Sequence, residues 1–329
     1  MIIANLQLNS NEDESLYQTG HCGGTCFSRY AKELLNDSQN EFWIYGSEKN
    51  FRNLRADERT DRCITLTDSQ IGNIKDGSPI GAIITNANRW DIIVHNQEGW
   101  AANAFGLKAK QVCWFTFVNQ TVHPNNDALM LYSEDQKARS SRAIPVFKVK
   151  IGKRPPSVEL YNSFKKEDFV FVCTRHDEAM DTNVVIDICN KHNIKILVAG
   201  PVLGDYKLNR NNINSFYLGK ISEEQKIDLC GRAKLYSCVQ GWDTIFSLSC
   251  IEALGCGTPV IARDRGCFSQ LIGPANGFFF TDEKSFLDAW SQSATIKPID
   301  CRMTALEYSD VEMVASFHRV FSHILKNGH

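Results

Sequence analysis

Short apolar segments alternate with amphipathic segments along almost the whole sequence. Apolar runs rich in Val and Ile are typical of strands buried on both faces, whereas apolar residues at helical spacing indicate helices. The predicted strands are Ile2–Leu8, Glu41–Tyr45, Ala82–Thr85, Asp91–His95, Val112–Phe115, Leu129–Tyr132, Phe169–Thr174, Lys195–Ala199, Leu235–Cys238 and Pro259–Ala262. The predicted helices are Phe27–Leu35, Asn183–His192, Glu223–Gly231, Ser247–Leu254 and Thr304–Leu325. This alternation predicts an α/β protein with parallel sheets flanked by helices.

The length and one basic segment indicate two domains. A chain of 329 residues is longer than a single hydrophobic core usually supports. The basic segment Lys148–Pro156 separates the halves, and its double proline stiffens the chain and restricts the preceding residue. We therefore expect a Rossmann-like domain over 1–152, a second over 153–304, and a helical segment over 305–329 that could pack back toward the first domain.

The charge balance restricts the partners of the protein. Lys and Arg number 36 and Asp and Glu number 38, which leaves a net charge of −2. Proteins that bind nucleic-acid phosphates usually have a basic surface. The balance therefore argues against nucleic acid as the partner, although it leaves a local basic groove open.

The cysteines and the apolar segments indicate the compartment. The 12 cysteines are scattered without a Cys-x-x-Cys pair, which is typical of reduced thiols in a cytosol. The cluster of His21, Cys22 and Cys26 lacks the second ligand pair of a zinc site. The N-terminus has no basic start, and no segment reads as a membrane span. We expect a cytoplasmic protein without a metal.

The segment Ser247–Ala262 carries the clearest chemical signal. It predicts a short helix, a stop at two glycines and a buried strand. The first turn of the helix presents the backbone N–H groups of Ser247 and Leu248, a typical anion site. Glu252 lies on an otherwise apolar helix, and burial of an unpaired carboxylate costs on the order of several kcal/mol. Glu252 must therefore pair with a structural partner or accept hydrogen bonds from a ligand.

Within this segment, the run Ile251–Ala262 resembles the donor-binding motif of the family-four retaining glycosyltransferases, which have the GT-B fold. Further segments resemble that family in the same order along the chain: Gly23-Gly24 before the first helix, Ser133–Lys137, Ile144–Val146, Gly219–Glu224 and Asn276–Phe280. The resemblance implies two facing Rossmann-like domains with a cleft between them, the first binding the acceptor and the second the nucleotide sugar.

The resemblance also implies roles for individual residues. The equivalent of Glu252 binds the ribose hydroxyls, Arg175 would hold the departing diphosphate, and His95 would touch the transferred sugar or the acceptor. A surface or loop-capping role is the alternative for His95. The candidate catalytic residues are Arg175, Glu252 and His95, and the candidate donor-binding residues are Gly23, Gly24, Ile221, Thr244, Phe246, Ser247, Leu248 and Glu252.

The implied reaction transfers a sugar, with retention of configuration, from a nucleotide-diphosphate sugar such as a UDP- or GDP-sugar. The acceptor would be a glycan or another molecule with a hydroxyl group. The resemblance implies a reaction that needs no metal and no further cofactor, and the sequence contains no Asp-x-Asp triplet.

Two positions depart from the family pattern. Thr244 stands where the family usually has the first of two glutamates, and Met180 stands where it has a lysine on the diphosphate. Loss of one charge-assisted contact costs about 1.5–3 kcal/mol, or roughly tenfold to a hundredfold in affinity. A catalytically degenerate GT-B protein that binds or acts as a scaffold is therefore an alternative. A second alternative is a viral-type transferase that acts on modified bases in DNA.

Overall fold

The structure is a computed structural model. It describes residues 1–7, 40–46, 62–67, 69, 70, 73, 90–95, 109–114, 126–139, 144–209 and 213–327. The chain divides into two compact units. Unit 1 comprises Met1–Lys150 and Met313–His329, and unit 2 comprises Ile151–Glu312.

Unit 1 contains a parallel sheet of seven strands among its described residues. The strands are β1 (Ile2–Gln7), β2 (Glu41–Gly46), β3 (Cys63–Thr65), β4 (Ile92–His95), β5 (Lys110–Trp114), β6 (Ala128–Leu131) and β7 (Val146–Lys148), with helix α1 (Glu134–Arg139) before β7. Their order in the sheet is β3-β2-β1-β4-β5-β6-β7. All four residues of β6 are fully buried, as expected for an inner parallel strand.

Unit 2 contains a parallel sheet of six strands in the order β10-β9-β8-β11-β12-β13, counted over its described residues. Its elements are α2 (Val158–Ser163), β8 (Glu167–Cys173), α3 (Thr182–Lys191), β9 (Lys195–Ala199), β10 (Ser215–Tyr217), α4 (Glu223–Arg232), β11 (Ala233–Ser237), α5 (Leu248–Gly255), β12 (Val260–Ala262), α6 (Phe268–Leu271), β13 (Gly277–Phe279), α7 (Glu283–Gln292), a 3-10 turn (Ser293–Thr295) and α8 (Pro298–Leu306). The last helix, α9 (Asp310–Asn327), belongs to unit 1 from Met313 onward.

The two sheets share one strand order. In each sheet the first strand, β1 or β8, lies between the second and the fourth strand of its unit. The chain therefore winds outward in two directions from the first strand, which is the Rossmann arrangement. In such sheets ligands bind outside the carboxyl ends of the strands, at the point where the direction changes. The predicted α/β class with Rossmann-like parallel sheets is confirmed.

The predicted strands and helices that fall on described residues are present, with ends that differ by a few residues. The predicted strand Ala82–Thr85 and the predicted helix Phe27–Leu35 lie outside the described residues. The strands β3, β7, β10 and β13 were not among the predicted strands. Each of the four has only three residues, which is too short for a periodic pattern to stand out.

The predicted helix Thr304–Leu325 is wrong in one respect, because the chain leaves the helical path between α8 and α9. The carbonyl of Tyr308 accepts a hydrogen bond from the backbone N–H of Lys153 at 3.0 Å. The hydroxyl of Ser309 then accepts one from the N–H of Glu312 at 3.3 Å, which caps the start of a new helix. Five of the six residues of the predicted apolar face of α9 are buried, namely Met313, Phe317, Val320, Phe321 and Ile324, whereas Val314 is half-buried.

The limits of the two units differ slightly from the domain limits expected from the sequence. The first change of unit falls between Lys150 and Ile151, close to the expected limit at 152. The second falls between Glu312 and Met313, inside α9 rather than at 304. A helix can run through such a limit because its backbone hydrogen bonds are satisfied within the helix.

Gly200 closes the carboxyl end of β9 in a conformation that favours glycine. Its φ is +120°, and a Cβ built on it would lie 1.7 Å from the carbonyl oxygen of Thr174. The Gly200 N–H donates to the carbonyl of Gly219 at 2.8 Å, and its own carbonyl accepts from the hydroxyl of Tyr217 at 2.7 Å. The glycine thus lets the segments that follow β8, β9 and β10 approach one another.

We expect Gly200→Ala to lower the free energy of unfolding by about 2 kcal/mol or more, because the new methyl group meets backbone and the positive φ is strained. Urea unfolding followed by circular dichroism measures the change. Gly273→Ala is the control, since its Cβ would enter open space and its φ is not positive. Equal stability of the two variants would contradict this account.

Candidate functional site

The direction of winding changes between β8 and β11 in unit 2, and the segments that follow these two strands lie against each other. The N–H of Asp181 donates to the carbonyl of Val239 at 2.7 Å, and the N–H of Gly241 donates to the carbonyl of Ala179 at 3.0 Å. The two segments therefore form one connected surface at the carboxyl ends of the strands. Arg175, Thr244 and the start of α5 belong to this surface.

Arg175 follows β8 by two residues and is held on two sides. Its Nε lies 2.7 Å from Oδ2 of Asp177, and its guanidinium carbon lies 5.0 Å from the ring centroid of Trp242. Only 23% of the side chain is exposed. An ion pair and a cation–π contact together restrict the direction of the guanidinium.

The residue after Arg175 fixes the local backbone. His176 is fully buried, with Nε2 3.0 Å from the carbonyl oxygen of Ala199 and Nδ1 3.1 Å from the hydroxyl of Thr182. A carbonyl only accepts, so Nε2 carries a proton and donates it. The imidazole thus connects the segment that follows Arg175 to the end of β9 and to the start of α3 by hydrogen bonds.

Met180 and Thr244, the two departures from the family pattern, have different surroundings. The Met180 side chain is 7% exposed and packs in the apolar cluster that includes Val185 and Val239. Thr244 is half-buried, and its hydroxyl donates to the carbonyl of Phe246 at 3.2 Å. The carbonyl of Thr244 accepts from the N–H of Cys267 at 2.8 Å.

The start of α5 is built from three of the predicted donor-binding residues. Ser247 is the N-cap of the helix, and its hydroxyl accepts from the N–H of Cys250 at 3.3 Å. Leu248 is the first helical residue. The buried ring of Phe246 lies 5.7 Å from the ring of Tyr308. The N-terminus of α5 carries a partial positive charge, as every helix N-terminus does.

Glu252 is buried in α5 and bound by two lysines. Its Oε1 lies 2.5 Å from Nζ of Lys153, and its Oε2 lies 2.6 Å from Nζ of Lys226. The Glu252 side chain is 7% exposed, against 23% for Lys153 and 16% for Lys226. A second carboxylate, from Glu223 in the first turn of α4, lies 2.6 Å from Lys153 and 3.5 Å from Lys226.

These charges control the protonation of the buried groups. Burial alone would raise the pKa of the Glu252 carboxyl, but the positive charges of Lys226 and Lys153 outweigh burial and hold that pKa below its usual value. Burial alone would lower the pKa of Lys226, but the carboxylates of Glu252 and Glu223 raise it. Glu252 is therefore an anion and Lys226 a cation at neutral pH.

The structure describes some of the remaining predicted site residues and not others. Gly23 and Gly24 lie outside the described residues. His95 is the last residue of β4 in unit 1, where it pairs in register with Leu6 and Cys113. Ile221 is half-buried and precedes Ser222, the N-cap of α4. Within unit 2 the structure thus gathers Arg175, Thr244 and the start of α5 at one edge of the sheet.

The sequence predictions missed Lys153, Lys226 and Trp242 as residues of this site. Lys153 stands in the segment taken as a linker, and Lys226 lies on the polar face of a helix, where lysine is common. No spacing in the sequence marks either residue. The one signal that could have found them was the prediction that a buried Glu252 needs a cationic partner.

The described part of the chain holds neither a candidate metal site nor a candidate membrane span. No group of three or more His, Cys, Asp or Glu side chains there could hold a metal ion. None of the helices that the structure describes is long and apolar enough to cross a membrane.

Comparison with solved structures identifies the architecture. The structure matches AviGT4, a glycosyltransferase involved in avilamycin A biosynthesis, with a TM-score of 0.71 and 16% sequence identity over 99% of this chain and 98% of that one. It matches sucrose-phosphate synthase from Thermosynechococcus elongatus with a TM-score of 0.73 and 12% identity over 99% and 100% of the chains. The chain has the GT-B fold.

Three further comparisons concern this GT-B protein. Anabaena HepE, solved in complex with UDP-glucose, matches with a TM-score of 0.69 and 13% identity over 98% of this chain and 100% of that one. Residues 159–292, which include Arg175 and Glu252, match the family model described as glycosyl transferases group 1. No curated protein matches the sequence at a significant level.

We expect Glu252→Gln to lower the free energy of unfolding at neutral pH by about 3–5 kcal/mol, because it leaves two lysines without their buried counter-charge. The pKa of Glu252 is lowered in the folded protein, so the carboxylate stabilises the fold above the ordinary value of 4.5. This contribution disappears as the pH falls through the folded pKa. The difference between wild type and variant should therefore shrink below about pH 4.5.

Urea unfolding at a series of pH values measures this difference. The matched control is Glu283→Gln, which removes an exposed glutamate that pairs with Lys191 and His192. Its effect should be small because solvent screens exposed pairs. A destabilisation of Glu252→Gln that stays constant from pH 7 to pH 3 would show that the charge of Glu252 is not the cause.

Proposed function

We propose that the protein is a glycosyltransferase that moves a sugar from a nucleotide-diphosphate sugar to an acceptor hydroxyl. The single observation that carries this proposal is the position of Arg175 and of the N-terminus of α5. Both lie at the carboxyl ends of β8 and β11, where the direction of winding changes, and both fall within the segment similar to group 1 glycosyl transferases. This is where a Rossmann-like sheet binds a nucleotide.

The residues of unit 2 suit the chemistry of this transfer. The barrier of the reaction is the departure of the diphosphate, which leaves negative charge on the phosphate oxygens. Fixed positive groups stabilise such charge in the transition state. Arg175, held by Asp177 and Trp242, supplies a guanidinium whose direction is already restricted. The N-terminus of α5, at Ser247 and Leu248, supplies backbone dipoles.

The donor is proposed to be a UDP- or GDP-sugar. Two of the three similar structures are named for glycosyl transfer or sugar-phosphate synthesis, and HepE was solved with UDP-glucose. In this proposal Glu252 accepts hydrogen bonds from the ribose hydroxyls, as the resemblance to family-four transferases implies. Its ionised state at neutral pH supports that role, since a carboxylate accepts hydrogen bonds at both oxygens.

The finer parts of the proposal rest on the same resemblance. Transfer is proposed to retain the anomeric configuration and to need no metal and no further cofactor. His95 at the end of β4 is proposed to touch the transferred sugar or the acceptor, which would be a glycan or another molecule with a hydroxyl group. The cytoplasmic location expected from the sequence stays a prediction.

A nucleotide-sugar-binding protein without catalytic activity is the second candidate. One observation favours it: Met180 packs in the apolar cluster of unit 2, where the family has a lysine on the diphosphate. Thr244 likewise offers a hydroxyl in place of a carboxylate. The two candidates share a donor site and differ only in turnover.

We expect a nucleoside diphosphate or its sugar to stabilise the protein by about 2.7 kcal/mol at a hundredfold excess over its Kd. A thermal-shift panel of UDP, GDP, ADP and their glucose and mannose derivatives measures this. If none of these compounds raises the melting temperature, the proposal of a donor site is overturned.

With the donor found, donor hydrolysis or transfer is measured for wild type and for Arg175→Ala. We expect kcat to fall about 100- to 1000-fold, as it does when one group that stabilises the developing charge is removed. Arg175→Lys should recover part of the loss, because it restores a charge without the planar fork. The control is Arg232→Ala, which removes an arginine paired with Glu167 and Asp228 on α4. Donor binding without any turnover would favour the second candidate.

A further inference from the structure

Lys153 and Lys226 are bridged by carboxylates on two sides. The buried Glu252 contacts both ammonium groups, at 2.5 and 2.6 Å. Glu223 contacts the same two groups, at 2.6 and 3.5 Å, but its side chain is 48% exposed. The four residues thus form a cluster of two positive and two negative charges with one buried side and one side toward solvent. We call these residues the lysine cluster.

The positions of the two lysines are fixed by the backbone that carries them. The N–H of Lys153 donates to the carbonyl of Tyr308, which holds its extended segment in place. Lys226 is in the second turn of α4, which begins with a capping box formed by Ser222 and Gln225. The Cα positions of both lysines are therefore held by hydrogen-bonded backbone.

The lysine cluster lies at the carboxyl edge of the sheet of unit 2. The carbonyl of Gly219, three residues before the N-cap Ser222 of α4, accepts a hydrogen bond from the N–H of Gly200 at the carboxyl end of β9. The first turn of α4, with Glu223 and Lys226, therefore starts at that edge. Cys173 is the last residue of β8 and precedes Arg175 by two positions. The cluster therefore lies on the same edge of the sheet as Arg175.

The two carboxylates of the cluster differ in how easily they are replaced. Removing Glu252 from the lysines would leave buried charges without compensation, which is strongly unfavourable. An exposed ion pair such as those of Glu223 contributes at most about 1 kcal/mol. An anion with more charge than a carboxylate can therefore displace Glu223 while Glu252 stays in place.

We propose that Lys153 and Lys226 bind a phosphate group of the nucleoside diphosphate, and that Glu223 occupies the anion position in the ligand-free protein. This inference rests on the proposed function and names residues that the family motif does not include. The pair supplies the positive charge that Met180 does not supply at its own position. Lysine suits this task because its ammonium is a compact charge that binds phosphate oxygens without a fixed planar geometry.

The test compares UDP with uridine, and GDP with guanosine, by isothermal titration calorimetry. A residue that binds phosphate affects only the diphosphate, whereas a residue that acts through Glu252 on the ribose affects nucleoside and diphosphate alike. We expect Lys153→Met to weaken binding of the diphosphate about tenfold to a hundredfold more than binding of the nucleoside, which loses only the effect of Lys153 on Glu252. We expect Lys226→Met to weaken binding of the diphosphate relative to the nucleoside in the same way.

Glu223→Gln gives an independent reading with little risk to folding, since Glu223 is exposed. It should tighten binding of the diphosphate about two- to fivefold by removing the competing charge. The matched control is Glu283→Gln, another glutamate in a first helical turn, which contacts a lysine and a histidine. Lys191→Met, which removes a lysine paired with Glu283, is the control for Lys153→Met.

The outcomes separate this inference from the proposed function. If wild type binds neither diphosphate nor its nucleoside, the proposed function is overturned and the inference with it. If wild type binds, and Lys153→Met weakens nucleoside and diphosphate equally while Glu223→Gln changes neither, only the inference is overturned. The lysines would then act solely to hold Glu252.

Discussion

A buried carboxylate must be compensated by positive charge, and in unit 2 this requirement organises one edge of the sheet. Glu252 stands on the apolar helix α5, and its two oxygens draw Lys153 from the segment before α2 and Lys226 from α4. Three separate stretches of chain are thereby joined at one point. Because the compensating lysines keep Glu252 ionised, the same contact that stabilises the packing also prepares a hydrogen-bond acceptor for a ligand.

The strand order determines which residues share a surface. With β8 between β9 and β11, the segments after β8 and β11 meet directly, and the N–H groups of Asp181 and Gly241 each donate a hydrogen bond to the opposite segment. Arg175 and Trp242 come together for this reason, although 66 residues separate them in the chain. The site is therefore a product of topology as much as of any motif: two loops without common sequence character become one binding surface.

The sequence predicted the fold class and the position of α5 because strand and helix patterns are local and periodic. It also predicted that Glu252 needs a partner, because burial of a charge is a general cost. It did not identify Lys153 and Lys226, because a contact between residues far apart in the chain produces no repeating pattern in the sequence. The break between α8 and α9 was missed for the same reason: the carbonyl of Tyr308 bonds to Lys153, far back in the chain.

The bond between Lys153 and Tyr308 has a consequence for how unit 2 is connected. These residues lie near the two ends of unit 2, so both ends emerge side by side. Unit 2 is one continuous stretch of chain, whereas unit 1 combines Met1–Lys150 with Met313–His329, which includes most of α9. Unit 2 therefore has the connectivity of an inserted domain, which can be exchanged between proteins as a single piece.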